Sequence, residues 1–124
     1  MKISPQRLAN LIGRHALEKK ASEIKVLDLR ELSDVTDYFV TCTAGVELHA
    51  RAIADHIIES LKKKGIRPWH KEGYQSSRWI LLDYVDVVVH IFLDETREFY
   101  GLEKLWGDAK IKEIKGIERK PRKN

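Results

Sequence analysis

The sequence predicts an α/β domain, a mixed β-sheet of about five strands with helices packed on one face. Three observations carry the prediction. Two segments repeat apolar residues at three- and four-residue spacing, as amphipathic helices do. Between and after them lie runs rich in β-branched and aromatic residues, the usual composition of strands. The chain itself, 124 residues with 43% apolar content and only 7 Gly and 3 Pro, is long enough for one core and too short for two.

From Pro5 to about Lys20, the residues Leu8, Leu11, Ile12 and Leu17 fall at helical spacing, with Ser4 placed as N-cap and Pro5 at the first helical position. Glu23 to Arg30 alternates around Ile24, Val26, Leu27 and Leu29, and Tyr38 to Thr43 is aromatic and β-branched, so both predict strands. Ala50, Ile53, Ala54, Ile57, Ile58 and Leu61 mark a second helix, which ends in Lys62-Lys63-Lys64-Gly65. Cations followed by glycine suit a helix C-terminus. A strand near Ile66 to Lys71 follows, so strand, helix and strand predict a right-handed crossover between two parallel strands.

Arg78 to Leu93 holds two β-rich runs about the pair Tyr84-Val85, a tight hairpin. With that pair as a two-residue loop, Asp83 faces Asp86, Leu82 faces Val87, Leu81 faces Val88, Ile80 faces Val89 and Trp79 faces His90. Alternation places Ile80, Leu82, Val87, Val89 and Ile91 on a wholly apolar face suited to lie under helices. The other face carries Trp79, Leu81, Asp83, Asp86, Val88, His90 and Phe92. Opposed aspartates repel, and a basic partner would relieve them; an apolar-aromatic patch rimmed by acid points to protein binding. Asp94 is expected to cap a short helix reaching about Tyr100, where Gly101 interrupts an apolar stripe that resumes at Leu102, Leu105 and Trp106.

Composition narrows the function classes. The net charge of +4 is unevenly spread: residues 110–124 hold seven basic and two acidic side chains, and residues 1–109 hold 16 and 17. A domain over 1–109 is therefore nearly neutral, and a basic tail over 110–124 suits contact with nucleic-acid phosphates. The single cysteine, Cys42, closes off an internal disulfide and a multi-thiolate metal cage. No apolar run is long enough to span a membrane and Met1-Lys2-Ile3-Ser4-Pro5 is no secretory signal, so no membrane partner and a cytoplasmic location are expected. His49 and His56 stand about 10 Å apart along one helix, too far to share an ion, and no metal site is expected. Asp83 and Asp86, or Asp34 and Asp37, are the carboxylate pairs open to phosphoryl-transfer chemistry, with no P-loop beside them.

The runs Ala52-Ile53-Ala54-Asp55, Glu72-Gly73, Trp79-Ile80-Leu81-Leu82-Asp83, Asp86-Val87-Val88-Val89-His90 and Tyr100-Gly101-Leu102-Glu103-Lys104-Leu105-Trp106, in this order, closely resemble the ribosomal silencing factor family, also called Iojap or YbeB. The resemblance covers about residues 8 to 107. It implies a nucleotidyltransferase-like domain that lacks the catalytic carboxylates, hence no enzyme and no cofactor. It further implies binding to the large ribosomal subunit at the protein conventionally numbered fourteen, blocking union with the small subunit and damping translation. Carried over residue by residue, the partner-binding positions are Trp79, Leu81, Asp83, Asp86, His90, Tyr100 and Trp106. The tail lies outside the resemblance, and Arg119, Lys120, Arg122 and Lys123 are its expected ribosomal RNA contacts. The reading leaves room for a homodimer when the protein is off the ribosome.

The chain departs from the family pattern at three places. Ala44-Gly45-Val46-Glu47-Leu48 stands where the family usually has a Gly-Thr-Ser-x-Arg-like run, Val85 replaces a hairpin glycine, and Gly101 replaces a glutamate. Two other classes compete with the silencing factor: a nucleotidyltransferase-like enzyme using Asp83 and Asp86, and an RNA-binding module driven by the tail.

Overall fold

The computed structural model describes residues 3–101 and 107–116, the side chains of 98–100 excepted. In chain order the elements are α1 (Pro5–Glu18), β1 (Ser22–Asp28), β2 (Tyr38–Ala44), α2 (Glu47–Lys62), β3 (His70–Glu72), β4 (Trp79–Asp83), β5 (Val87–Leu93), α3 (Asp94–Tyr100) and β6 (Lys110–Ile114). The strands form one mixed sheet in the order β3-β4-β5-β2-β1-β6. Six strands stand among the described residues where about five are expected, because Lys110–Ile114 pairs antiparallel with β1, from Ile24 with Ile114 to Asp28 with Lys110. The proposed boundary at 109/110 thus falls in front of a strand. The charge total over 110–124 hid it, since lysine and glutamate are what an edge strand carries to discourage further pairing.

Helix α1 begins as its sequence dictates, with the Ser4 hydroxyl accepting from the Arg7 N–H at 3.2 Å and Pro5 in the first turn. Val46 is the N-cap of α2 and offers no side-chain cap. His49 ties that corner down instead: its Nδ1 accepts from the Gly45 N–H at 3.0 Å, and its Nε2–H donates to the Lys19 carbonyl at 2.7 Å. Beyond the helix end Gly65 takes φ 77°, and the Ile66 N–H returns to the Leu61 carbonyl at 2.9 Å.

The core lies between α1 and α2 and one face of the sheet. Leu8, Ile12, Ile53, Ile57 and Leu61 from the helices meet Ile24, Val26, Val40, Cys42, Ile80, Leu82, Val87, Val89 and Ile91 from the strands, all buried. The hairpin face assigned by alternation is thus the packed face.

Three expectations about connectivity change. Strand β2 runs parallel to β5, from Tyr38 with Val87 to Ala44 with Leu93, and not to the strand that directly follows α2. That strand shrinks to exposed β3, antiparallel to β4 at the sheet edge. Pro68 and the polar His70-Lys71-Glu72 suit an edge, whereas Val87-Val88-Val89 and Ile91-Phe92 can be buried on both faces in the middle. The hairpin loop is Val85-Asp86, one residue later than expected, closed by the Tyr84 N–H to the Val87 carbonyl at 2.8 Å. Pairing therefore shifts by two: Asp83 faces Val88, Leu81 faces His90 and Trp79 faces Phe92, and the two aspartates are not opposed. Finally, Asp94 is the first residue of α3 and Leu93 its N-cap, and α3 reaches the sheet face opposite α1 and α2. Arg97 there donates to the hydroxyls of Thr43 and Thr41 at 2.6 and 3.1 Å and to the carbonyl of Glu23 at 2.9 Å.

Candidate functional site

Strand periodicity and the register place a second set of side chains opposite the helices. Across β1, β2, β5 and β4 one row reads Leu27, Phe39, Val88 and Asp83, and the next Lys25, Thr41, His90 and Leu81. A third row, across β2, β5 and β4, is Thr43, Phe92 and Trp79. Phe39, Val88, Leu81, Asp83 and Trp79 are each partly exposed, while Leu27, Phe92 and His90 are buried. The result is an apolar-aromatic patch with the Asp83 carboxylate at its side.

The aromatic rings form one stack-like group. Trp79 and Phe92 centroids lie 5.1 Å apart, Phe39 meets the His90 ring edge-on at 4.5 Å, and His90 stacks with Phe92 at 5.9 Å. The Trp79 indole N–H donates to His90 Nδ1 at 3.0 Å. An indole nitrogen only donates, so the neutral imidazole carries its proton on Nε2, which is buried without a hydrogen-bond partner. Burial holds the His90 pKa down at about 4. His90 is therefore a neutral prop beneath Trp79 and not a surface contact.

Of the partner-binding positions carried over, Trp79 and Leu81 sit on this patch and Asp83 at its side. Asp83 also has a local role, since its Oδ1 accepts from the Val85 N–H at 2.7 Å in the hairpin loop. Asp86 lies exposed in that loop, and its carbonyl accepts from the N–H groups of Asp37 and Tyr38 at 3.0 and 3.1 Å. The side chain of Tyr100, all of Trp106, and Arg119, Lys120, Arg122 and Lys123 lie outside the described residues. Phe39 is the member that the sequence reading missed; the alternation of Phe39, Thr41 and Thr43 within Tyr38–Ala44 carries its signal.

Two other chemistry-bearing groups, Cys42 and Asp28, have structural roles. Cys42 is fully buried and burial pushes its thiol up to about 12, leaving no thiolate for nucleophilic work. An open cleft lined by Asp28, Arg30, Glu31, Leu32, Asp108 and Lys110 contains a two-pronged ion pair, with Arg30 Nε and Nη2 donating to the two Asp28 oxygens at 3.0 and 2.7 Å. That guanidinium keeps the Asp28 carboxyl below its ordinary range. One group of three metal-type donors does occur among the described residues, His15, Glu18 and His56. Histidine spacing along one helix does not reveal this group, because its residues meet across two.

These features define an α/β protein with one sheet face packed under two helices and an aromatic patch on the other. The family model "Ribosomal silencing factor during starvation" matches residues 2–124, and the chain belongs to that family. A ribosomal silencing factor RsfS of Halalkalibacterium halodurans is 37% identical over 115 residues, spanning 93% of this chain and 98% of its own. That of Bacillus subtilis is 40% identical over 97 residues, 78% and 82% of the two chains. A crystal structure of a Chromobacterium violaceum protein superposes with a TM-score of 0.83 at 28% identity, covering 94% of this chain and 98% of that one. A mouse protein named for mitochondrial assembly of the ribosomal large subunit is 34% identical over 72% of this chain and 40% of its own length. No helix among the described residues is long and apolar enough to cross a membrane.

Proposed function

We propose that this chain is a non-enzymatic silencing factor on a nucleotidyltransferase-like scaffold, acting in the cytoplasm. It docks on the large ribosomal subunit at the protein conventionally numbered fourteen and excludes the small subunit by bulk. The observation that carries the reading is the half-buried patch of Phe39, Val88, Leu81 and Trp79, on the sheet face that α1 and α2 leave uncovered. A rigid aromatic anchor on a strand, ringed by apolar side chains, is how protein interfaces concentrate binding energy. The family membership supplies the ribosome as partner, and the mouse relative's name points to the large subunit. Arg119, Lys120, Arg122 and Lys123 add contacts to ribosomal RNA phosphates.

Co-sedimentation with separated subunits, paired with light scattering of subunit joining, tests the reading. Trp79→Ala is expected to weaken binding to the large subunit by about 2 kcal/mol or more, with far-UV circular dichroism checking that the sheet survives loss of the Trp79–His90 bond. A folded variant that pellets with the large subunit as well as the parent does would falsify the assignment of this face. Association with the small subunit alone would overturn the partner.

A further inference from the structure

Residues three apart share a helix face, so His15 and Glu18 project together from α1. Packing of α2 against α1 brings His56 to the same spot: Glu18 Oε1 lies 2.7 Å from His15 Nδ1 and 2.8 Å from His56 Nε2. The two imidazoles meet edge to face with centroids 5.6 Å apart. One ligand atom from each residue lies within 4.8 Å of the others. This cluster sits on the helix layer, remote in the fold from the aromatic face, and the docking proposal makes no use of it.

Two imidazoles and a carboxylate form the donor set of open zinc sites, in which a water completes a tetrahedron at bond lengths of about 2.0–2.2 Å. Donors around such an ion stand roughly 3.3 Å apart, so each hydrogen-bonded pair here has to open by about half an ångström. The side chains can make that move. Glu18 and His56 are 57% and 28% exposed, while His15, at 15%, is the fixed arm. Solvent reaches the cluster from the Glu18 side to supply the fourth ligand.

We propose that His15, Glu18 and His56 form a binding site for a divalent transition metal of zinc chemistry, which clamps α1 to α2. The ion replaces the proton-mediated contacts that Glu18 now makes with both rings. Bound to the folded chain and not to the unfolded one, it raises thermal stability by mass action.

The test uses the untagged full chain, freed of metal with a chelator, and Co²⁺ as a visible probe. One equivalent of Co²⁺ is expected to give absorption of four-coordinate intensity, displaced by Zn²⁺, and Zn²⁺ is expected to raise the Tm. His56→Ala and Glu18→Gln each lose a ligand and are expected to weaken binding at least tenfold, since even loss of a supporting contact to a ligand costs about 10–100-fold. His70→Ala, at the other exposed histidine-glutamate pair, is expected to bind as the parent does. Glu18→Gln preserves side-chain volume at an exposed position, which guards against a folding artefact. Absence of the cobalt spectrum at millimolar metal, or equal affinity in folded His56→Ala and Glu18→Gln, overturns the site and leaves the three residues as a hydrogen-bonded helix tie.

Discussion

Val85 holds a left-handed backbone, φ 73°, at the centre of a γ-turn in which the Asp86 N–H donates to the Tyr84 carbonyl at 3.0 Å. A β-branched residue is badly suited to that conformation, whose cost is of order 1–3 kcal/mol. The side chain is exposed and little packing is lost on its removal. Val85→Gly is therefore expected to stabilise the fold by roughly 1 kcal/mol after the added freedom of the unfolded glycine is counted, read as a higher denaturant midpoint at unchanged m-value. His90 contributes to the acid side of the stability profile. Its folded pKa, about 4, lies below the ordinary value near 6.5, so between those values the unfolded chain binds a proton that the folded chain refuses. Stability is complete above pH 6.5 and falls as pH drops towards 4, by up to about 3 kcal/mol from this residue. Urea denaturation at pH 7 and 4.5 checks it, and in His90→Gln the difference is expected to shrink.

At the scale of elements, α2 shows where the chain economises. Its N-cap, Val46, makes no side-chain bond and is 57% exposed. Val46→Ser supplies an acceptor for the first-turn N–H groups and is expected to add about 1 kcal/mol, measured by thermal or chemical unfolding. The elements differ in how legible they are. Ser4-Pro5 and Lys62-Lys63-Lys64-Gly65 announce helix ends through local chemistry, and the structure places both ends within a few residues. The faces of β4 and β5 are legible although their register is not, because moving the loop from Tyr84-Val85 to Val85-Asp86 shifts partners by two and leaves the parity of every side chain unchanged. Neighbour choice is the part that local pattern does not hold: nothing near Tyr38–Ala44 states that its parallel partner is Val87–Leu93. Alternation gives the face of Phe39, but its grouping with Val88 and Trp79, like that of His15 with His56, exists only after distant segments pack.

For the whole molecule, the position of β6 separates two truncations. Ending the chain at Gly116 removes four basic residues and one acidic one while keeping the sheet intact. That variant is expected to fold, to keep blocking subunit joining at saturating protein, and to bind with a flatter salt dependence, by up to about 3–4 in log-log slope. Ending at Ala109 also strips β6 from β1 and is expected to lower the unfolding midpoint, so any loss of activity there beyond that of the Gly116 variant reports the sheet and not the tail. Light scattering at two salt concentrations beside a melting curve distinguishes the cases. The pairing of β1 with β6 also bears on how the protein is made. The register from Ile24 with Ile114 to Asp28 with Lys110 is set only after residues 110–114 have been made. During synthesis, at about 5–20 residues per second, β1 spends several seconds with one row of backbone N–H and C=O groups unpaired, and the lysines that protect the finished sheet have yet to be added. An unpaired strand edge is a template for wrong pairing, so slower translation lengthens the interval in which β1 is open to it.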